Sequence, residues 1–293
     1  MKTVILILFL VPAFILAQSS WRREIPIVKP REELFHSVKT ANLPTAETLQ
    51  KGNFFYEISH RFARITAGYD ALYGLDGPVN MRTALSYGVT DDWMVTIGRS
   101  NVQDNLEFNV KYLFWDIADK TTPSRLTLKT GIAFNTEAIA GTNKRDAFNS
   151  NSTQYYIQVI FNTMLLEKSL GLGVVPSYVY NSYIFANDFN ENVKYTFSLP
   201  LYVQYYFNRT WSLWLEYMPV IGGWKGNIYS DPSSEKRSYN ALSAGLALET
   251  GGHVFHLFVT NSTRLNPTQY LVGADNNTNK DAWHFAFGIT REL

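Results

Sequence analysis

The side chains able to carry chemistry in this sequence are Glu57, Arg61, Arg82, Glu107, Lys111, Arg125, Lys129, Gln158, Lys194, Gln204, Glu216 and Glu249. Each stands in a run where polar and apolar residues alternate, and each has the polar parity. Gathered on one hydrated surface they could pair with one another or with water. They could equally line a path for a polar solute, and the cations outnumber the carboxylates, which would favour anions. Nucleophile chemistry is less well served. Ser59 precedes His60, but adjacent side chains in a strand point to opposite faces. Ser262 lies near His256 without a readable oxyanion-hole signature. His36 falls in an irregular segment, His253 and His256 differ by three positions, and His60 and His284 have opposite parity. None of these makes a preformed metal site. The expectation is a chain with no catalytic residue, no metal and no cofactor, and so not an enzyme. A barrel enzyme acting on lipids is the alternative, and it needs a Ser or Asp within reach of a His on the outer face.

The elements that must position these groups are strands. Leu106–Phe114 sets Leu106, Phe108, Val110, Tyr112 and Phe114 against Glu107, Asn109, Lys111 and Leu113. That is a ribbon with one apolar and one mostly polar face. The same pattern recurs in Phe54–Phe62, Val79–Tyr87, Trp93–Ile97, Arg125–Phe134, Gln154–Asn162, Leu172–Tyr180, Val193–Phe207, Trp211–Val220, Tyr239–Glu249, His253–Asn261 and Trp283–Thr290. About twelve strands result. Many are about nine or ten residues long, the length a tilted strand needs to cross a bilayer. Trp93, Trp115, Trp211 and Trp283 fall at strand ends, where an amphipathic ring suits the membrane interface. Short turns (Thr90–Asp92, Asn208–Thr210, Thr250–Gly252) alternate with long polar loops at 135–152, 181–192, 221–237 and 262–281. Outer-membrane barrels have short periplasmic turns and long outer loops. Asp116–Pro123 and the short loop after Ile97 fit that alternation less well. A soluble sandwich with one buried face is the competing all-β reading.

The chain has 293 residues, a formal net charge of +1 and no Cys, with 15% aromatic and only 17% charged residues. The balance of charge offers nothing to nucleic acid, and the absence of Cys removes disulfides, thiolate metal sites and a lipid-anchor cysteine. Lys2 followed by the apolar run Val4–Leu16 and the small Ala17 reads as a signal peptide over 1–17. Residues 18–51 contain Pro26, Pro30 and Pro44 and keep no period. They read as an irregular periplasmic lead-in with a short helix over Arg31–Lys39; a plug in the lumen is the alternative. Residues 52–293 form the barrel.

Several strings have a familiar order: Thr45-Ala46-Glu47-Thr48-Leu49-Gln50-Lys51-Gly52, Ser59-His60-Arg61-Phe62, Tyr73-Gly74-Leu75-Asp76, Tyr87-Gly88-Val89-Thr90-Asp91, Gly98-Arg99-Ser100, Glu249-Thr250-Gly251-Gly252-His253-Val254-Phe255 and Thr260-Asn261-Ser262. Over roughly residues 45–293 the chain resembles a Bacteroidetes-type family of outer-membrane β-barrels of unknown function. The resemblance implies the barrel and its membrane and no activity. One departure is the C-terminus, which ends on Leu293 where such barrels often end on an aromatic residue.

The expected fold is therefore all-β, a closed antiparallel transmembrane β-barrel of about twelve strands in the outer membrane. Its expected partners are outer-membrane lipid, the barrel-assembly machinery and a small polar solute. The expected role is porin-like passage of that solute, or support for a periplasmic partner. A filled structural or adhesin-like barrel with binding outer loops is the alternative.

Overall fold

The computed structural model describes residues 33–136, 150–182, 193–225, 238–278 and 283–293. The expected signal peptide, the lead-in as far as residue 32 and most of the loops at 135–152, 181–192 and 221–237 lie outside the described residues. Among the described residues, fifteen strand segments join in one sheet. They make twelve strands, because three strands are each broken once. In chain order these are β1 (Phe54–Arg64), β2 (Asn80–Gly88), β3 (Trp93–Ser100), β4 (Asn105–Ile117), β5 (Ser124–Asn135) and β6 (Thr153–Leu165). Then follow β7 (Leu170–Val174 and Ser177–Tyr180), β8 (Tyr195–Ser198 and Leu201–Tyr206) and β9 (Trp211–Met218 and Val220–Gly223). The last are β10 (Ala241–Glu249), β11 (His253–Thr260) and β12 (His284–Glu292). Every pairing is antiparallel, and all but the closing one join chain neighbours. The sheet closes where β12 meets β1, with Tyr56 opposite Arg291 and His60 opposite Phe287. Closure pairs the strands around the whole ring, which is what a sheet in lipid requires; among the described residues the outer segment Val220–Gly223 of β9 is paired on one side, with β8.

The three breaks share one cause. Pro176, Pro200 and Pro219 have no N–H to give the ladder. Their carbonyls still accept from the preceding strand: from Val159 N (3.0 Å), Val175 N (2.8 Å) and Leu199 N (3.0 Å) respectively. The breaks thus step across neighbouring strands β7, β8 and β9. The continuous strands expected there are correct in direction and count but interrupted once each.

Alternation puts the apolar set outward. Tyr56, Leu85, Ile97, Phe108, Ile157, Leu215 and Leu257 are all exposed on the barrel wall, where lipid meets them. At the end of β4 the register with β5 shifts between Leu113 and Trp115. This bulge turns both Phe114 and Trp115 outward, although strict parity separates them. Trp93, Trp115 and Trp211 lie at the end of the barrel with the short turns, the periplasmic end by the usual rule; Trp283 lies at the other end, where its carbonyl accepts from Ile65 N (2.9 Å).

The interior departs most from expectation. Residues 33–51 do not wait outside as a periplasmic lead-in, and no helix forms over 33–39. They make a hairpin inside the barrel. Thr40 N donates to Leu43 O (2.8 Å) and Thr45 N to Val38 O (3.1 Å) at its tip. Lys51 N and Thr48 Oγ1 tie the returning arm to Asp91 in the periplasmic β2–β3 turn. From the other end, the loop after β11 folds inward. Residues 265–272 are buried, and one helical turn, α1 (Pro267–Tyr270), starts with proline at its first position. Arg264 and Asp275 pair at 2.6 Å at the base of this loop. The lumen is therefore filled by two chain segments rather than by strand side chains alone.

On one side the filling is apolar. Leu34, Phe35, Leu43 and Ala46 of the hairpin and Tyr270 and Leu271 of the loop pack with Tyr156, Ile160, Met164, Tyr202 and Met218 of the wall. Inward glycines make room for these rings. A Cβ at Gly173 would lie 2.1 Å from the Tyr202 ring, and one at Gly131 would lie 2.5 Å from Tyr156. Gly173→Val is expected to displace Tyr202 and to destabilise the barrel by about 1–3 kcal/mol. Urea unfolding of the lipid-inserted protein, followed by the loss of heat-modifiable migration, measures this.

Candidate functional site

The remaining side of the lumen is ionic, and it is built around four carboxylates. Glu216 on β9 accepts from Thr40 Oγ1, from the Asn42 side-chain amide, and from Asn42 N (2.9 Å) and Leu43 N (3.3 Å). One wall carboxylate thus holds the whole tip of the hairpin. The side-chain oxygen of Asn42 accepts in turn from the Arg61 guanidinium, which lies 4.6 Å over the Phe258 ring. Glu57 on β1 pairs with Lys39 of the hairpin and with Arg82 Nε at 3.4 Å, and accepts from Ser59 Oγ at 3.2 Å. Burial lowers the Lys39 ammonium below the ordinary lysine range, and the Glu57 carboxylate beside it acts in the opposite direction.

Glu107 on β4 is completely buried. It pairs with Arg82 at 2.7 Å, accepts from Tyr156 OH and Asn109 Nδ2, and lies 3.9 Å from Lys129. Arg82 also donates to Asn266 Oδ1, so one guanidinium joins the wall to the infolded loop. The fourth carboxylate, Glu47, belongs to the hairpin. It takes both of its ionic bonds from Arg125 on β5, at 2.6 and 2.7 Å, and accepts from Leu34 N at 2.9 Å. Arg125 is shared with Asp116 at 3.1 Å. Neutral partners complete the seam: Asn162 Oδ1 accepts from Ala46 N (2.6 Å), Thr127 Oγ1 donates to Ala46 O (2.8 Å), and Tyr202 OH donates to Pro44 O (3.1 Å).

Of the residues selected from parity, Glu57, Arg61, Arg82, Glu107, Lys111, Arg125 and Glu216 stand buried in this network, and Lys129 nearly so. Gln158 and Gln204 are buried beside it and donate to Ser177 and Ser212. Glu249 sits at the periplasmic mouth and pairs with His36. Lys194 does not enter the lumen: it is exposed at the outer rim, just ahead of β8, where its carbonyl accepts from Asn181 N at 2.6 Å. The histidines separate as parity requires. His60 faces outward against Phe287, and His284 faces inward, with Nδ1 at 2.8 Å from Phe62 O and Nε2 at 2.9 Å from Asn276 Nδ2. His256 is buried against Trp214, and neither of its ring nitrogens has a partner among the described residues.

Sequence reasoning missed Lys39, Asn42 and Glu47, which lie in the lead-in, and Asn266, which lies in a loop. One signal was available. The string Thr45–Gly52 was notable for resemblance, and it proves to be the returning arm of the hairpin. Glu216→Ala removes an acceptor used by three residues of the hairpin tip. Hydrogen bonds to charged groups contribute about 1.5–3 kcal/mol each, so the variant is expected to release the hairpin while the barrel stays folded. Limited proteolysis should then cut within 33–51 at least tenfold faster than in the native protein.

Several solved outer-membrane barrels are similar to this chain. The NanC porin matches with a TM-score of 0.49 at 14% identity, over 82% of this chain and 100% of that one. An outer membrane channel from Pseudomonas putida F1 matches with a TM-score of 0.46 at 14% identity, over 85% of this chain and 98% of that one. Outer membrane phospholipase A from Escherichia coli matches with a TM-score of 0.39 at 11% identity, over 82% and 96%. The expectation that the chain is not an enzyme is corrected by that last finding: the barrels to which this chain is similar include an enzyme as well as channels. No curated protein matches the chain. Residues 35–293 match the family described as a membrane bound beta barrel domain (DUF5777), a domain of unknown function. That match takes in the hairpin and all twelve strands, and the chain belongs to this family of membrane-bound β-barrels in the outer membrane.

Proposed function

We propose that the protein is a channel for small polar solutes, held closed by its own N-terminal hairpin. The observation that carries this reading is the ionic seam between hairpin and wall. Glu216, Glu57 and Arg125 grip the hairpin through charged groups, and water can take over such bonds when the hairpin leaves. A wall exposed by that departure would be lined by Arg61, Arg82, Lys111, Arg125 and Lys129 against Glu57, Glu107 and Glu216. Its surplus of cations favours anionic solutes. The hairpin enters from the periplasmic end, so a periplasmic partner acting on it would open the path. Membrane lipid around the apolar band and the barrel-assembly machinery are the further partners proposed.

A second reading has its own support. The apolar contacts of Leu34, Phe35, Leu43 and Ala46 resemble a protein core, and a core of this kind favours a permanently filled barrel whose outer loops bind partners.

Single-channel recording in a planar bilayer separates the two. The native protein is expected to be closed with rare openings. Glu216→Ala combined with Glu47→Gln is expected to raise the open probability at least tenfold, with a reversal potential in a salt gradient that shows anion preference. A variant that inserts as a folded barrel, exposes its hairpin to protease and still conducts nothing would sink the channel reading in favour of the filled barrel.

A further inference from the structure

Two lysines face each other directly across the inner wall. Lys111 of β4 is in register with Lys129 of β5. Like charges directly opposite in a ladder repel, and these two are withdrawn from water. Lys111 is 1% exposed, and its ammonium donates to the Val38 carbonyl at 3.0 Å, a dipole and not a charge. Lys129 lies 5.6 Å over the Tyr156 ring and 3.9 Å from Glu107, the carboxylate nearest it among the described residues, and Glu107 already holds Arg82 at 2.7 Å. Lys39 and Arg82 complete the group and share Glu57. Four cations therefore stand with two carboxylates. The next carboxylate, Glu47, is bound through both oxygens to Arg125. A buried charge without a counter-charge is costly, so this formal surplus of two positive charges is relieved either by loss of a proton from a lysine or by a bound anion.

The same four cations line one cavity of about 40 Å³, between the hairpin, the infolded loop and the wall of β1–β5. That volume exceeds the ~10–15 Å³ that a single water-sized sphere needs. Glu57 of the wall, Tyr270 and Pro267 of the loop and Val38 of the hairpin line it as well. We propose that this cavity is a binding site for a small inorganic anion of halide size. The anion supplies the missing negative charge between Lys111 and Lys129. Because Lys39 and Tyr270 come from the two inserted segments, the bound anion also ties both segments to the wall and stabilises the filled state. The proposal concerns the filled barrel and holds whether or not that barrel conducts.

The test uses the full chain in detergent micelles, with bromide as the probe. Crystals grown or soaked in bromide are expected to show anomalous scattering in contact with the Lys111 and Lys129 ammonium groups. In solution, replacing gluconate by chloride at constant ionic strength is expected to raise the thermal midpoint by a few degrees and to saturate, and Lys111→Met is expected to abolish that dependence. No bromide between the two lysines overturns the proposal, as does a Lys111→Met protein that keeps the full chloride dependence. Should Lys111→Met fail to fold, the bromide map of the native protein decides alone.

Discussion

The cost of removing charge from water governs this structure. A closed sheet in lipid turns its polar face inward, and in this chain that face carries Arg61, Arg82, Lys111, Arg125, Lys129, Glu57, Glu107 and Glu216, nearly all of them buried. A wide water-filled lumen would solvate them. Here the lumen is occupied, so each group must find a protein partner. The hairpin supplies Lys39, Asn42 and Glu47, and the infolded loop supplies Asn266. The two inserted segments are thus the complement of the wall, and neither could be replaced by an apolar filler without stranding charges.

The complement is not uniform around the barrel. Toward β6–β9 the large apolar residues Tyr156, Ile160, Met164, Tyr202 and Met218 face inward together with the ionic Glu216, and inward glycines at 131 on β5 and 173 on β7 leave room for the Tyr156 and Tyr202 rings. Toward β1–β5 the inward residues are ionic. The hairpin presents Leu34, Phe35 and Leu43 to the first region and Lys39 to the second, so its sequence is read on two faces at once. Apolar packing adds to its hold on the wall, and the salt bridges fix its position. The proline breaks in β7, β8 and β9 border the apolar region, where three neighbouring strands change course together.

Much of the barrel was legible beforehand. Alternation needs only nearest neighbours along the chain, and in a strand that alone decides which side chains share a face. The strand count, the outward aromatics and the inward position of Glu107 or Glu216 follow from it. Where local geometry breaks the alternation, parity fails. The bulge in β4 sends Trp115 outward beside Phe114, and Lys194 stays at the rim because parity names a face and carries no depth. The broken strands of β7–β9 were less visible, although Pro176, Pro200 and Pro219 stood in plain view; a proline forbids one donor but does not say whether the strand resumes.

By itself, the sequence determined the closed antiparallel barrel, its membrane, and the polar character of its interior, because those depend on period, length and composition. Only the tertiary structure decided what fills that interior. Glu216 meets Asn42, Glu47 meets Arg125, and Arg82 meets Asn266, across separations of 174, 78 and 184 residues. No local pattern encodes such partners. They follow from the closure of the sheet, which brings distant charges into one confined space where each must be met by whatever segment can reach it.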